Sequence, residues 1–387
     1  MRRNYLLPLF LCLTGLLVSC RNEDSLPIDE IVSLSARQCA IMESSLTEDT
    51  MPRNFQNGEL VLSDTHWWCS GFFPGVCWYT WRLGGNPEVR EVALRQTCKL
   101  LDVDSLNKEH DLGFQVLPSA YFAFQETGDS LYLKTVFDAA ERLAGRFSPV
   151  MGAIRSWDNN LYSYPVIIDN MMNLELLTIA ARLFDRPEWR EIAITHANTT
   201  IRNHFRPDGS CYHLVDYNPE DGSIIRRQTV QGYADESAWA RGQGWAVYGF
   251  TMMYRETAVE DYLEQAERTA GYLLPRLEGR PVPPWDFNAP EESIGQDDAS
   301  AGAIMASAFL ELSTLTQDAD LAQRCRKQAV ATLKALSHKP YLADEGEVCG
   351  FLLKHSTGNY PKGSEVDVPL TYADYYFLEA LWRYKNL

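Results

Sequence analysis

A chain of 387 residues, 45% hydrophobic and 12% aromatic, carries enough apolar material for a large packed core. Its formal net charge of -17 excludes a nucleic-acid partner, because phosphate recognition needs a basic footprint. An anionic ligand would need a local cationic or hydrogen-bonding pocket that overrides this mean field.

The N-terminus, "MRRNYLLPLFLCLTGLLVSC", sets two arginines before an apolar run too short to be a membrane span, the pattern of an export signal. It ends in Leu17-Val18-Ser19-Cys20, which resembles a bacterial lipoprotein cleavage site with Cys20 as the lipidated first residue; an ordinary signal peptide with an incidental cysteine is the alternative. Residues 1–20 are thus expected to be a lipoprotein signal peptide, 21–27 a polar tether and 28–387 a single domain. The expected location is that of an exported bacterial lipoprotein, facing the periplasm or lying at the outer-membrane surface, with the lipid as its only membrane contact. Without Cys12 and Cys20, seven scattered cysteines remain, with no CxxC pair and no HExxH. Neither a disulfide framework nor a metal site is signalled, and no cofactor is expected.

From Ile28 onward the period is helical nearly everywhere. One class of segment is amphipathic: "IDEIVSLSARQCAIMESSL", "EVREVALRQTCKLLDV", "LYLKTVFDAAERLAGRFS", "PEWREIAITHANTTIRNHF", "DYLEQAERTAGYLLPRLE" and "LAQRCRKQAVATLKAL". A second class alternates with it and is apolar all round: "WCSGFFPGVCWYTWRLGG", "HDLGFQVLPSAYFAFQETGD", "IDNMMNLELLTIAARLFD", "ADESAWARGQGWAVYGFTMMYRET", "DDASAGAIMASAFLELSTLT" and "VPLTYADYYFLEALWRY". A helix apolar on every face is buried on every face. Six outer helices alternating with six inner ones predict an all-α fold, an (α/α)6 toroid of six helical hairpins. An open solenoid is the alternative, and the uneven spacing of the inner segments disfavours it.

The inner segments carry their polar residues at their N-terminal ends, which a ring gathers at one mouth. Asp111 lies in "HDLGF" and Asp169 in "IIDNMMN". Each alone also suits helix N-capping. Asp169, however, is followed by Asn170 and by Asn173 one turn on, among Ile167, Ile168, Met171 and Met172. Burial there raises a carboxyl pKa, which is how a general acid is prepared. Trp67, Trp68, Trp157, Trp239, Trp245 and Trp285 stand in or beside the mouth segments; as a set they suit sugar-ring stacking, although each alone also suits core packing. Arg241 shares a helix face with Trp245 and requires a carboxylate partner, either internal or on a substrate. His213 follows a glycine turn in "RPDGSCYHLVDY", and Gln231 begins the loop into the fourth inner helix.

From about Trp67 to the C-terminus the chain resembles the unsaturated glucuronyl hydrolases, glycoside hydrolase family 88. The resemblance rests on "GFFPG", "HDLGF", "IIDNMMN", "RPDGSCYHLVDY", "QGYADESAWARGQGWAVYGF", "PPWDF" and "YADYYFLEAL", in that order. It implies the toroid and a catalytic role for residues 28–387. It makes Asp111 and Asp169 the key aspartates, and Trp68, Trp157, His213, Gln231, Arg241 and Trp245 the substrate contacts. It implies a substrate with a C4=C5 double bond in its terminal uronic acid, left by a polysaccharide lyase and hydrated by the enzyme. In "HSTGNYPKGSEVD", Ser356 and Lys362 partly match positions of relatives that prefer sulfated substrates; Lys362 also suits a solvated loop charge. The alternatives are an unsaturated rhamnogalacturonyl hydrolase on the same fold, an inverting glycosidase acting on saturated sugars, and a non-catalytic glycan-binding lipoprotein.

Overall fold

The computed structural model describes residues 26–294 and 296–387. The expected signal peptide, Cys20 and most of the expected tether lie outside the described residues.

Inner and outer helices alternate as the periodicity predicts. Outer helix α1 (Ile28–Ser44) precedes inner α2 (Phe72–Gly84) and outer α3 (Pro87–Cys98). The second inner segment is broken into α4 (Leu112–Val116), a π turn (Leu117–Tyr121) and α5 (Phe122–Thr127). Pro118 causes the break, since it has no N–H to return to the preceding turn. Outer α6 (Leu131–Ala144), inner α7 (Asn170–Phe184), outer α8 (Pro187–His204), inner α9 (Ala240–Thr257) and outer α10 (Glu260–Leu273) follow. A single turn, α11 (Glu291–Ile294), leads to inner α12 (Ala299–Leu315), outer α13 (Ala319–Leu336) and inner α14 (Thr371–Lys385). Packing runs α2 to the α4–α5 segment, then α7, α9, α12 and α14, and α14 returns to α2. The ring is closed, which decides against the solenoid.

Caps fix the outer helices locally. Asn86 accepts from Glu88 N ahead of α3, with Pro87 at the first helical position, and Asp318 accepts from Asp320 N and Leu321 N ahead of α13.

Nine short strands among the described residues are not anticipated from the helical period. They pair within the connections that enter the inner helices. β1 (Met51–Gln56) with β2 (Glu59–Ser63) precedes α2; β3 (Phe147–Ser148) with β4 (Ala153–Ile154) precedes α7. β5 (Pro165–Ile167), β6 (Leu214–Tyr217) and β7 (Ile224–Gln228) form one antiparallel sheet before α7 and α9, with Ile167 opposite Leu214. β8 (Ser356–Asn359) and β9 (Ser364–Val368) form a hairpin before α14. Together they make a collar around the mouth.

At the other end of the axis, polar side chains from the inner helices pair with one another. Glu379 accepts from Tyr79, Tyr248 and Ser307, while Arg255 bridges Glu175 and Glu311.

The inner helices approach closely enough to need glycine. A Cβ at Gly75 would lie 2.6 Å from the Tyr375 ring and 2.7 Å from Pro118 Cβ, where α2, the π turn and α14 meet. Gly75→Ala is therefore expected to cost about 1–3 kcal/mol by overpacking. A lowered thermal unfolding midpoint in circular dichroism checks this; an unchanged midpoint would show that the three elements can shift apart freely.

Candidate active site

The N-terminal ends of the inner helices converge on one narrow cavity, lined by Trp68, His110, Asp111, Trp157, Ile167, Asp169, Gln231 and Arg241. Asp111 and Asp169 stand at the N-cap positions of α4 and α7, yet neither side chain makes a capping bond. Asp298, in the same place ahead of α12, caps fully through Ser300 N and Ala301 N. The capping explanation therefore fails for the two aspartates that face the cavity.

Asp169 is delivered by the sheet: Ile168 N donates to His213 O at 2.9 Å, continuing β5 along β6. Asn170 donates to Ile154 O at 2.8 Å and fixes the first turn of α7. Asn173 Oδ1 accepts from Phe114 N at 3.1 Å, satisfying a free donor at the start of α4. That contact depends on Gly113, where a Cβ would meet Asn173 Oδ1 at 2.7 Å. The two amides thus locate the helices that carry the two carboxyl groups.

Both carboxyls are pushed toward the neutral form. Burial raises Asp169 to about 6, against the opposing charge of Arg241. Asp111 lies well above the usual carboxylate range, through burial first and the Asp169 charge second. Two histidines flank the pair, and burial lowers each to about 3, so both are neutral. His110 Nε2 lies 3.4 Å from Asp111 Oδ1. His213 Nδ1 receives the Val230 N–H at 3.1 Å, so it must be the acceptor nitrogen. The proton then sits on Nε2, which is 3.8 Å from Asp169 Oδ2.

Arg241 finds the carboxylate partner its burial demands. It pairs with Asp298 at 3.2 Å and donates to Thr357 O at 2.6 Å and Gly358 O at 2.7 Å. Gln231 donates to the same Gly358 carbonyl at 3.2 Å. Arg241 thus lines the cavity and also anchors β8 beside it. Trp68 packs on Tyr372, with ring centroids 5.0 Å apart, and Trp157 stands edge-on to His213 at 6.2 Å.

The expected residues do not all reach the cavity wall. Trp245 is fully buried behind Asp169, against Phe114 and Tyr376. His213 is buried beside Asp169. Ser356 is buried with its hydroxyl unpartnered, and Lys362 is exposed in the turn between β8 and β9; neither lines the cavity. His110 and Asp298 were not singled out from sequence. The "HD" pair at Asp111 could have pointed to His110, whereas Asp298 lies 57 residues from the arginine it holds. Among the described residues, no cluster of His, Cys, Asp and Glu is arranged to hold a metal ion.

An α/α toroid with two buried carboxyls, tryptophans and an arginine around one mouth is the architecture of a glycosidase. The signature of Glycosyl Hydrolase Family 88 matches residues 44–278. The chain is 39% identical over 401 residues to an unsaturated glucuronyl hydrolase of Formosa agariphila, covering 100% of this chain and 99% of that one. A crystal structure of an unsaturated glucuronyl hydrolase specific for heparin superposes with a TM-score of 0.89 at 42% identity, over 93% of this chain and 97% of that one. A mutant of the Streptococcus agalactiae unsaturated glucuronyl hydrolase, complexed with dGlcA-GalNAc6S, superposes with a TM-score of 0.79 at 27% identity, over 92% and 91% of the two chains. The chain belongs to Glycosyl Hydrolase Family 88.

Removing the guanidinium would leave Asp298 charged, buried and without its cation. Arg241→Ala is therefore expected to destabilise the fold by about 3–5 kcal/mol. The double variant Arg241→Met/Asp298→Asn is expected to recover part of that loss. Thermal unfolding of the single and double variants checks both. A loss no larger than the roughly 0.5 kcal/mol of an ordinary surface substitution would deny Arg241 its anchoring role.

Proposed function

We propose that this enzyme releases the 4,5-unsaturated uronic acid from the non-reducing end of lyase-made oligosaccharides, by hydrating the C4=C5 vinyl ether. The observation that carries this reading is the pair of buried, non-capping aspartates facing one cavity. Asp169 donates its proton to C4. As a carboxylate it then takes a proton from the water whose oxygen bonds to C5. The hemiketal at C5 opens and the next sugar is released. With a pKa of about 6, Asp169 is suited both to give and to accept a proton near neutral pH. Asp111, itself pushed toward the neutral form, holds ring hydroxyls. His213 presents its Nε2–H toward the Asp169 carboxyl, 3.8 Å away. Trp68 and Trp157 offer ring faces, Gln231 and Arg241 offer donors, and Trp245 backs Asp169.

Glycosaminoglycan disaccharides are the substrates we favour. The heparin-specific neighbour at 42% identity and three streptococcal relatives named unsaturated chondroitin disaccharide hydrolase support that choice. Of the two expected sulfate contacts on the β8–β9 hairpin, exposed Lys362 is the candidate, since Ser356 is buried. We further infer export as a lipoprotein through Cys20, from the N-terminal sequence alone, onto a periplasm-facing or outer-membrane surface.

The C4=C5 bond conjugated to its carboxylate absorbs in the ultraviolet, and hydration removes the signal. Loss of absorbance is expected with unsaturated disaccharides from heparin, chondroitin or hyaluronan. Loss with pectin fragments alone would favour the rhamnogalacturonyl reaction, and no loss with any of them would overturn hydration. Asp169→Asn is expected to abolish turnover in this assay without unfolding the chain. The folded-state pKa of Asp169 lies above its ordinary 3.8, so the stability it contributes is full below about 3.8 and lost as pH rises through about 6. The always-neutral Asn variant should therefore match the wild type near about pH 4 and exceed it in thermal midpoint near about pH 7.5. A variant less stable than the wild type at the higher pH would contradict the buried-carboxyl argument.

A further inference from the structure

The collar strand β1 does not pair regularly. Pro52 stands opposite Leu62 and Asn54 opposite Val61, so Arg53 is an extra residue in the strand. A bulge of this kind re-aims the side chain it carries. The Arg53 guanidinium lies 4.0 Å from the centroid of the Trp67 ring, and its Nε donates to Glu365 Oε1 at 2.7 Å. Asn54 Nδ2 donates to the same oxygen at 3.1 Å. Glu365 holds a φ of 58°, a left-handed conformation that is costly for a residue with a Cβ. Its carboxylate lies against Gly358, where a Cβ would stand 2.6 Å from Oε2. Gly358 is also the residue whose carbonyl Arg241 and Gln231 hold at the cavity wall. On the other side, Trp67 precedes Trp68, which lines the cavity. From Trp68 round to Gln231 the rim of the mouth is thus one connected set, with Arg53 in its middle. Burial raises the Cys69 thiol, and the charges that act on it next are those of Glu365, Asp111, Arg53 and Arg241, so the rim pair and the cavity groups surround one residue.

The bond from Nε is the only hydrogen bond the Arg53 side chain makes among the described residues, and that side chain is 28% exposed. A guanidinium fixed by a carboxylate at its Nε edge and by an aromatic face keeps the fork of its Nη donors in one place. Such a fork matches two oxygens of a tetrahedral anion. Lys362 lies three residues before Glu365, in the turn of the same hairpin. Against a formal net charge of -17, an anionic sugar needs a local cationic element of this kind. Resting on the glycosaminoglycan reading above, we propose that Arg53 is a specificity-determining residue: its Nη groups hold a sulfate on the second sugar, the one that projects from the cavity while the terminal uronic acid faces Asp169.

The ultraviolet assay tests this on unsaturated chondroitin and heparin disaccharides with and without sulfate on the second sugar. The wild type should favour at least one sulfated form. In Arg53→Gln the ratio of its kcat/KM to that of the unsulfated partner should fall about tenfold, through KM. Arg53→Lys keeps the charge but not the fork and should fall between. Arg53→Gln leaves Glu365 without its cation, so Arg53→Gln/Glu365→Gln is measured beside it, and its ratio should stay low. A ratio restored in the double variant would assign the loss to repulsion by Glu365 and overturn the proposal. So would a wild type indifferent to sulfate, or equal losses on both sugars, the mark of a merely structural tie between β1 and β9. A ratio that falls in Lys362→Ala but not in Arg53→Gln would also overturn it. Calorimetric binding of the same sugars to Asp169→Asn, with and without Arg53→Gln, gives the comparison without turnover. A chain that hydrolyses none of these sugars would therefore refute the reaction while binding still decides the role of Arg53.

Discussion

Closing six helices into a ring buries each of them on every side, and that constraint governs where polar chemistry can go. Along the walls of the ring an unpaired polar group would lack partners, so such groups collect at the two ends of the axis. The ends are not equivalent. At the N-terminal ends, short collar strands surround a cavity with two carboxyls that make no capping bond. At the C-terminal ends, glutamates, arginines and tyrosines satisfy one another. Chemistry at one end and closure at the other follow from the same geometry.

The aspartates illustrate what sets a site apart from a structural motif. Asp111, Asp169 and Asp298 all stand immediately before inner helices. Asp298 spends its oxygens on backbone N–H groups and on Arg241. The other two make no helix-capping bond and lie buried next to neutral histidines. Burial raises both, and at Asp111 the charge of Asp169 adds to it. Arg241 links the two kinds of aspartate: its charge opposes the shift at Asp169 while its hydrogen bonds hold Asp298 and β8.

Much of this was legible in the sequence. The alternation of amphipathic and wholly apolar segments gave the number and order of the hairpins, since both patterns repeat over whole helices. Asp169 stood out because a carboxylate and two amides are costly in an apolar run. The collar strands were not legible, because at two to six residues they carry too little period to register against helical neighbours. The break at Pro118 was marked by the proline, but the π turn that absorbs it was not. Nor could spacing show that Arg241 would find Asp298, or that backbone amides at 230 and 231 would fix the tautomer of His213. Those are contacts between distant segments, set only when the ring closes.

The paired charges at the base have a further consequence. The cavity at the mouth shares no lining residue with the cleft among Tyr79, Glu175, Tyr248, Arg255 and Glu379 at the other end of the axis, and Phe114, Met172, Asn173 and Trp245 lie between or behind them. The catalytic chamber is thus a cul-de-sac. A polymer cannot be threaded through it, and only a chain terminus can reach Asp169. Each turnover must then be a separate visit, with the cleaved sugar backing out by the door it entered. Action at the chain end, one residue at a time, is built into the architecture before any side chain selects a substrate.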